Sequence, residues 1–258
     1  MEYKKKLIEV SIPLKKINEA CIKEKSIRQG HPSTLHIYWA RRPLASARAV
    51  IFCTLVDDPS QNNNLNQQEI LNERKRLFKI VEQLVKWENI NNQELLEMAY
   101  KEIVNSCGEV PPTILDPFSG GGTIPGEAQK LGLTTIGTDL NPVSVIITKG
   151  MIELPYKNKN MQPINPEAKN LTFYNSNWKN NSGLANDLRY YGKKMKSLVF
   201  EKIGNYYPLV GGKPVIAWLW TKVVKCANPT CNSEIPLANS FNVFKSGKKK
   251  VFTEPVYN

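Results

Sequence analysis

Two short apolar segments that each end at an aspartate constrain the fold of this chain more than any other feature. Residues 113–115 lead to Asp116, and residues 134–138 lead to Asp139. Between them lie a glycine-rich turn and a stretch, residues 124–131, that predicts a helix. A strand–turn–helix–strand order with acids at both strand ends is typical of an open parallel α/β sheet. The sequence therefore predicts an α/β fold.

The glycine-rich turn has the chemistry of a ligand-binding loop. Asp116 ends the first strand, at the sheet edge where ligands bind in open α/β folds. Gly120 and Gly122 carry no side chains, so the backbone can turn tightly and a ligand can approach closely. The helix that follows would point its first amides into the same crevice. Asp139 is suited to accept hydrogen bonds from both hydroxyls of a ribose.

Several nucleotide-like ligands are compatible with such a turn, and their motifs differ. A phosphate-binding P-loop needs a lysine after the glycines, and none follows them here. The dinucleotide pattern G-x-G-x-x-G is out of register, because Gly126 comes one residue late. An acid four residues before the first glycine of G-x-G fits S-adenosylmethionine, whose ammonium and sulfonium groups suit a carboxylate. A glycine turn that binds nothing is the structural alternative.

The turn resembles the cofactor motif of amino-methylating DNA methyltransferases, commonly Asp-Pro-Phe-x-Gly-x-Gly-Thr, and residues 137–142 resemble their second cofactor segment. The resemblance implies a Rossmann-like class I methyltransferase open sheet, incomplete in this chain, that binds S-adenosylmethionine. Asp116 would then hold the methionine amino end, and Asp139 would bind the ribose hydroxyls. The cofactor-binding set that we predict is Asp116, Pro117, Phe118, Ser119, Gly120, Gly121, Gly122, Thr123, Asp139, Asn141 and Arg42.

The N-terminal part extends the resemblance. Residues 24–28 and 31–44 are similar to the opening domain of large prokaryotic adenine-specific DNA methylases, which carry a zinc-ribbon insertion. Arg42 begins an Arg-Pro-Leu element where many DNA amino-methyltransferases have Lys-Pro-Leu. The resemblance implies an N-terminal helical extension, the start of a zinc ribbon, and adenine in DNA as the methyl acceptor.

Charge gives a separate indication of the partner. Lys and Arg number 35 against 23 Asp and Glu, a net charge of +12. A basic surface favours polyanions, although a lysine-rich solvated surface has the same composition. Arginine binds phosphate and aromatic side chains stack on bases, and both crowd into residues 28–42. The nucleic-acid candidates are His31, His36, Trp39 and Arg41, and a hydrogen-bonding cluster at the core edge is the alternative.

The cysteines predict at most half of a metal site. Cys226 and Cys231 have a spacing allowed in a zinc knuckle, but two ligands do not complete a tetrahedral site. We expect Cys21, Cys53 and Cys107 to be small buried hydrophobic residues. Zinc is therefore a cofactor only if further ligands join this pair, as the resemblance to zinc-ribbon methylases implies.

The amine-orienting motif of DNA amino-methyltransferases, Asp/Asn-Pro-Pro-Tyr/Phe, does not occur in the sequence. Its one Pro-Pro pair, Pro111 and Pro112, lies between Val110 and Thr113. We therefore expect no catalytic residue in this chain, which would be the cofactor-binding N-terminal portion of a methylase, either truncated or completed by a second chain. A methyltransferase acting on RNA or protein and a non-catalytic nucleic-acid-binding protein are the alternatives.

The sequence predicts four segments. Because it shows no secretory signal and no membrane-spanning run, we expect a cytoplasmic protein. Predicted helices cover 43–56, 67–87, 93–104, 142–151 and 184–203. We expect a surface excursion over 155–170 and one buried strand or a bent pair over 213–224. The segments are an N-terminal family segment at 1–58, a helical hairpin at 59–110, the cofactor-binding core at 111–224 and a partial zinc ribbon at 225–258.

Overall fold

The computed structural model describes residues 4–108, 110–171, 178–207, 209–215, 220–231, 233–238, 240–246 and 249–252. The chain forms two compact units, Met1–Tyr190 and Tyr191–Asn258. The fold is mixed α/β, and its sheets are two-stranded. None of the described helices is long and apolar enough to cross a lipid bilayer.

Helices build the first part of unit one. They are α1 (Leu7–Val10), α2 (Leu14–Glu24), α3 (Leu44–Leu55), α4 (Gln67–Leu84) and α5 (Gln93–Cys107), with short 3₁₀ turns at Pro32–Thr34, Pro59–Gln61 and Trp87–Asn89. Asn66 and Glu69 form a capping box at the start of α4, which satisfies backbone donors that the helix leaves unpaired. Gly108, at φ 88°, follows the last residue of α5 in a conformation that a side chain disfavours.

These helices share one hydrophobic core. Helix α3 is mostly apolar, with Phe52 and Cys53 almost completely buried, and α1, α2, α4 and α5 pack against it. The amphipathic helices α4 and α5 supply Leu77, Val81 and Ile103 to the same cluster. The cluster includes residues from three of the predicted segments, 1–58, 59–110 and 111–224. The first two predicted segment boundaries therefore divide a single core.

A parallel strand pair follows the helices, as the apolar segments predict. Strand β1 (Ile114–Asp116) pairs with β2 (Thr135–Gly137), with Leu115 opposite Ile136. Helix α6 (Thr123–Lys130) connects them and packs against α3. The arrangement is a β–α–β unit whose crossover helix belongs to the common core.

The chain after β2 is more helical than the sequence predicts. Helix α7 (Pro142–Thr148) continues through a π-helical turn at Lys149–Glu153 into α8 (Leu154–Lys157), and α9 (Pro166–Leu171) follows. The prediction of a surface excursion over 155–170 is therefore partly wrong. Two of its prolines mislead, because Pro155 and Pro166 lie in the first turn of a helix, where the missing N–H costs nothing.

Helix α10 (Ser182–Ile203) spans the boundary between the units, and a 3₁₀ turn at Gly204–Tyr206 ends it. Unit two then holds three antiparallel ribbons. They are β3 (Leu209–Val210) with β4 (Lys213–Pro214), β5 (Val223–Lys225) with β6 (Glu234–Pro236), and β7 (Asn242–Ser246) with β8 (Lys249–Phe252).

Of the two alternatives predicted for residues 213–224, one buried strand or a bent pair, the single buried strand is wrong. Its ends lie in two different ribbons, its middle, 216–219, lies outside the described residues, and Trp220, Val223 and Val224 are exposed. The aliphatic and aromatic composition that suggested burial does not distinguish a core strand from an exposed ribbon.

Candidate functional site

The glycine-rich turn runs from the end of β1 to the start of α6 and has the tight geometry that its composition predicts. Gly120 and Gly122 lie at φ 50° and 71°, in the left-handed region that favours glycine. A Cβ on Gly122 would come within 3.0 Å of the Thr148 hydroxyl. The Ser119 amide donates to the Thr138 carbonyl at 2.9 Å, which ties the turn to the end of β2.

Asp139 joins the two strand ends. Its Oδ2 accepts a hydrogen bond from the Gly120 amide at 2.8 Å, and its Oδ1 accepts one from the Asn141 amide at 2.8 Å. Hydrogen bonds from Asn141 and Gly120 hold the pKa of Asp139 below its usual 3.8, so this group is an anion at neutral pH. Each carboxylate oxygen has lone pairs for a further donor, so the anion can still bind a polar ligand.

The remaining residues of the turn differ in exposure. Asp116 is buried, and its Oδ1 accepts from the Phe118 amide at 3.2 Å. Ser119 and Thr123 are buried beneath the turn, whereas Pro117 and Phe118 are exposed. Beyond β2, Leu140 is almost fully exposed and Asn141 caps α7 by accepting from the Val143 amide. The turn therefore presents apolar side chains beside two carboxylates.

Residues 31–43, here called the covering segment, lie across the turn. The ring of Tyr38 packs against Gly120 and Gly121, 3.2 Å from where a Cβ on Gly120 would be. The Thr123 hydroxyl donates to the Arg42 carbonyl at 3.3 Å, so the predicted cofactor residue Arg42 adjoins the start of α6. Leu35 contacts Gly150 in the π-helical turn. The covering segment thus spans from the π turn to α6.

A buried carboxylate fixes both ends of the covering segment. Glu24, at the end of α2, accepts from His31 Nε2 at 2.9 Å at one end. At the other end it accepts from the amides of Leu44 and Ala45, both at 3.0 Å, which begin α3. His31 also contacts the Ser33 hydroxyl and stacks on Trp87. These bonds anchor the two ends of the covering segment to the end of α2.

The structure separates the four nucleic-acid candidates. His31 is 3% exposed and its ring nitrogens are both engaged. The assignment of His31 as a nucleic-acid contact is therefore wrong here, because a buried imidazole bonded to Glu24 cannot reach a ligand. His36, Trp39 and Arg41 are exposed.

The two ribbon cysteines come together, as their spacing predicts. Cys226 follows β5 and Cys231 precedes β6, at the turn of one antiparallel ribbon, and the Ser233 hydroxyl lies 3.0 Å from Cys231 Sγ. Hydrogen bonds from Ser233, and then from Cys226, lower the pKa of Cys231. Within the described residues no group of three or more His, Cys, Asp or Glu side chains converges on a metal position. The pair alone does not fit a closed zinc site.

Several residues that shape the site carry no recognisable sequence signal. Tyr38 and Glu24 act through contacts that only the fold creates. Arg48, the only charged residue of α3, is buried and donates to Glu127 Oε2 at 2.5 Å, and it also donates to the Leu84 carbonyl. A lone arginine in an otherwise apolar helix was the one available clue, because a buried charge requires a partner.

Comparison with known proteins is sparse. A family profile described as a protein of unknown function (DUF1156) matches residues 11–80, which include α2, the covering segment and α3. No curated protein and no solved structure matches the chain.

Proposed function

We propose that this chain binds S-adenosylmethionine at the turn after β1 and is the cofactor-binding portion of a DNA adenine amino-methyltransferase. The observation that carries the proposal is the hydrogen bond between Asp139 and Gly120, because it joins the acid after β2 to the glycine turn after β1. The two sequence elements that resemble the methyltransferase motifs thus form one edge. The parallel β1–α6–β2 unit supports the proposal, because Rossmann-like open sheets are built from such units.

Under this proposal, different side chains contact different parts of the cofactor. Asp116 lies beneath the turn, where a carboxylate can attract the ammonium of the methionine moiety. Asp139 retains acceptor capacity for the ribose hydroxyls. Phe118 and Leu140 project beside them and offer apolar surface to the adenine.

Methyl transfer to an exocyclic amine needs groups beyond those of the glycine turn and Asp139. The amine lone pair is delocalised into the base, so acceptors must hold the amine hydrogens while the base is fixed against an aromatic ring. The Asp/Asn-Pro-Pro-Tyr/Phe element that performs this in DNA amino-methyltransferases is absent from the sequence. We therefore propose that catalysis requires a second polypeptide segment carrying that element, and that this chain alone transfers no methyl group.

Equilibrium titration of the purified chain with S-adenosylmethionine tests cofactor binding, with NAD and ATP as competing ligands. The proposal expects saturable binding of S-adenosylmethionine alone. Asp139→Ala should lower affinity at least about tenfold, since hydrogen bonds to a charged group contribute roughly 1.5–3 kcal/mol. Glu97→Ala, which removes an exposed carboxylate from α5, is the matched control and should bind like the wild type.

Three results would contradict the proposal. They are preferential binding of NAD, no binding of S-adenosylmethionine by a folded chain, and an equal loss of affinity in Asp139→Ala and Glu97→Ala. Incorporation of tritiated methyl into DNA by this chain alone would contradict the expectation that it is catalytically incomplete.

A non-catalytic nucleic-acid-binding role is the second candidate, and the exposed aromatic and basic side chains of the covering segment favour it. It predicts DNA affinity that falls steeply with salt and does not respond to S-adenosylmethionine. Coupling between the two ligands would instead favour the methyltransferase.

A further inference from the structure

The covering segment lies in a stretch of the chain that has one sign of charge. No aspartate or glutamate occurs between Glu24 and Asp57. Arg28, Arg41 and Arg42 are exposed, and none of them has an ion-pair partner among the described residues. Guanidinium groups that form no ion pair are free to bind phosphate bidentately. This charge pattern favours an anionic ligand.

Trp39 is the most unusual side chain of the covering segment. It is 87% exposed, although tryptophan normally buries most of its large apolar surface. Its ring lies 5.6 Å from that of Tyr38, which packs on Gly120 and Gly121. Trp39 therefore stands beside the proposed cofactor turn, in a segment whose two ends Glu24 anchors. An exposed aromatic ring with arginines close in sequence suits the stacking of a nucleobase whose phosphates are held nearby.

We propose that Trp39 stacks on an unpaired base of single-stranded or locally opened nucleic acid, and that Arg41 holds an adjoining phosphate. The base must be unpaired because the face of a base is accessible only outside the duplex stack. Aromatic and arginine side chains also occur at protein interfaces, but a stretch of the chain that carries positive charge alone favours a polyanion over a protein partner. The inference rests on the proposed function in one respect: a base that stacks on Trp39 would lie beside the methyl donor. Its binding test needs no cofactor.

The test uses the full-length chain and a fluorescein-labelled single-stranded DNA of about 12 nucleotides, within the usual range for single-strand sites. Fluorescence anisotropy measures its affinity, and the same strand in a blunt duplex serves as competitor. Trp39→Ala should weaken binding about tenfold or more, whereas Trp39→Phe, which keeps an aromatic face, should recover most of the affinity. The matched control is Trp220→Ala, because Trp220 is 92% exposed but lies in unit two. It should change the affinity less than twofold.

The salt dependence of DNA binding tests the role of Arg41. Arg41→Ala should reduce the slope of log affinity against log salt by about 0.7, the value for one phosphate contact on a single strand. Arg189→Ala, an exposed arginine of α10, should leave the slope unchanged. Equal affinities of Trp39→Ala and Trp220→Ala would overturn the inference. So would equal affinity for the duplex, or no binding of either nucleic acid.

Titration of the same variants with S-adenosylmethionine separates this inference from the proposed function. Trp39→Ala should retain cofactor affinity, and Asp139→Ala should retain single-strand affinity. Binding of DNA that depends on Trp39, in a chain that does not bind the cofactor, would refute the proposed function and leave the stacking site intact. The opposite pattern would refute the stacking site alone.

Discussion

At the scale of single residues, the glycine turn depends on backbone conformations that other residues avoid. Gly122 lies at φ 71°, and a Cβ there would press against both the backbone and the hydroxyl of Thr148. Gly192, within α10, has no atom within 4 Å of an added Cβ and no positive φ. The two positions therefore make a matched pair in which the same substitution should have opposite effects.

Gly122→Ala should lower the free energy of unfolding by at least about 1–2 kcal/mol, the cost of a left-handed conformation for a residue with a Cβ. Gly192→Ala should raise helix stability by up to about 1 kcal/mol, because alanine loses less entropy than glycine in a helix. Urea denaturation followed by circular dichroism measures both. If Gly122→Ala leaves the free energy of unfolding unchanged and binds S-adenosylmethionine normally, Gly122 does not have the left-handed conformation assigned to it.

A second residue pair predicts how stability depends on pH. Asp58 is buried, and Arg74 donates to its two oxygens at 2.7 and 2.9 Å. Burial acts to raise the pKa of Asp58, but hydrogen bonds from Arg74 and Ser60 outweigh it and lower the pKa below the usual 3.8. A depressed pKa means that the ion pair stabilises the fold fully above the unfolded-state pKa. Its contribution is lost as the pH falls below about 4 and passes through the folded-state pKa.

Asp58→Asn should therefore cost roughly 2 kcal/mol at pH 7, since it weakens hydrogen bonds to a charged group. The cost should be smaller at pH 3, below the unfolded-state pKa of about 3.9, because protonation of the unfolded wild type removes part of the ion pair's contribution there. Denaturation at the two pH values measures the difference between variant and wild type. Asp187→Asn is a useful comparison, because Asp187 accepts bonds from backbone amides and Asn165 rather than from an arginine. A cost for Asp58→Asn that is independent of pH would contradict the assignment.

At the scale of elements, one buried ion pair joins three helices. Arg48 of α3 bonds Glu127 of α6 and the last carbonyl of α4, and the two charged side chains are at most 3% exposed. Lys130 also pairs with Glu127 at 3.0 Å. Because α6 begins at the glycine turn, the pair positions the start of the candidate site relative to the helical core.

Arg48→Met should destabilise the protein by about 3–5 kcal/mol, because it leaves Glu127 buried without its main partner. The double variant Arg48→Met, Glu127→Leu should be more stable than the single one, because no uncompensated charge remains in the core. Thermal or urea denaturation of the wild type, both single variants and the double variant completes a double-mutant cycle. Additive losses would mean that the two side chains do not depend on each other.

Sequence periodicity predicted the elements whose stability is local, and it missed those that depend on distant contacts. Helices α4 and α5 and the β1–β2 pair lie within about a turn of their predicted positions, because their apolar spacing and capping residues are contiguous in sequence. The role of Glu24 was unpredictable, since it arises only when α2 meets the start of α3. His31 was misassigned for the same reason: its residue type suits a ligand, and only the fold buries it against Glu24.

At the scale of the whole molecule, the two units differ in how they are stabilised. Unit one has a continuous core of buried aliphatic side chains. Among the residues after Tyr190 whose side-chain exposure the structure describes, none is buried, and the described strands form two-stranded ribbons. Isolated two-stranded ribbons are marginally stable in water. Unit two should therefore open with a lower free energy than unit one.

Brief digestion of the native chain with trypsin tests this difference, because lysines are abundant in both units. We expect the first cleavages after Tyr190, and a resistant fragment that retains the helical core and the glycine turn, both identified by mass spectrometry. If that fragment still binds S-adenosylmethionine, the candidate site depends on unit one alone. Added Zn²⁺ is the informative second condition. Protection of unit two by the metal would mean that ligands beyond Cys226 and Cys231 complete a site there, because two thiolates do not hold zinc stably. Cleavage at equal rates in both units would contradict the assignment of stability to the helical core.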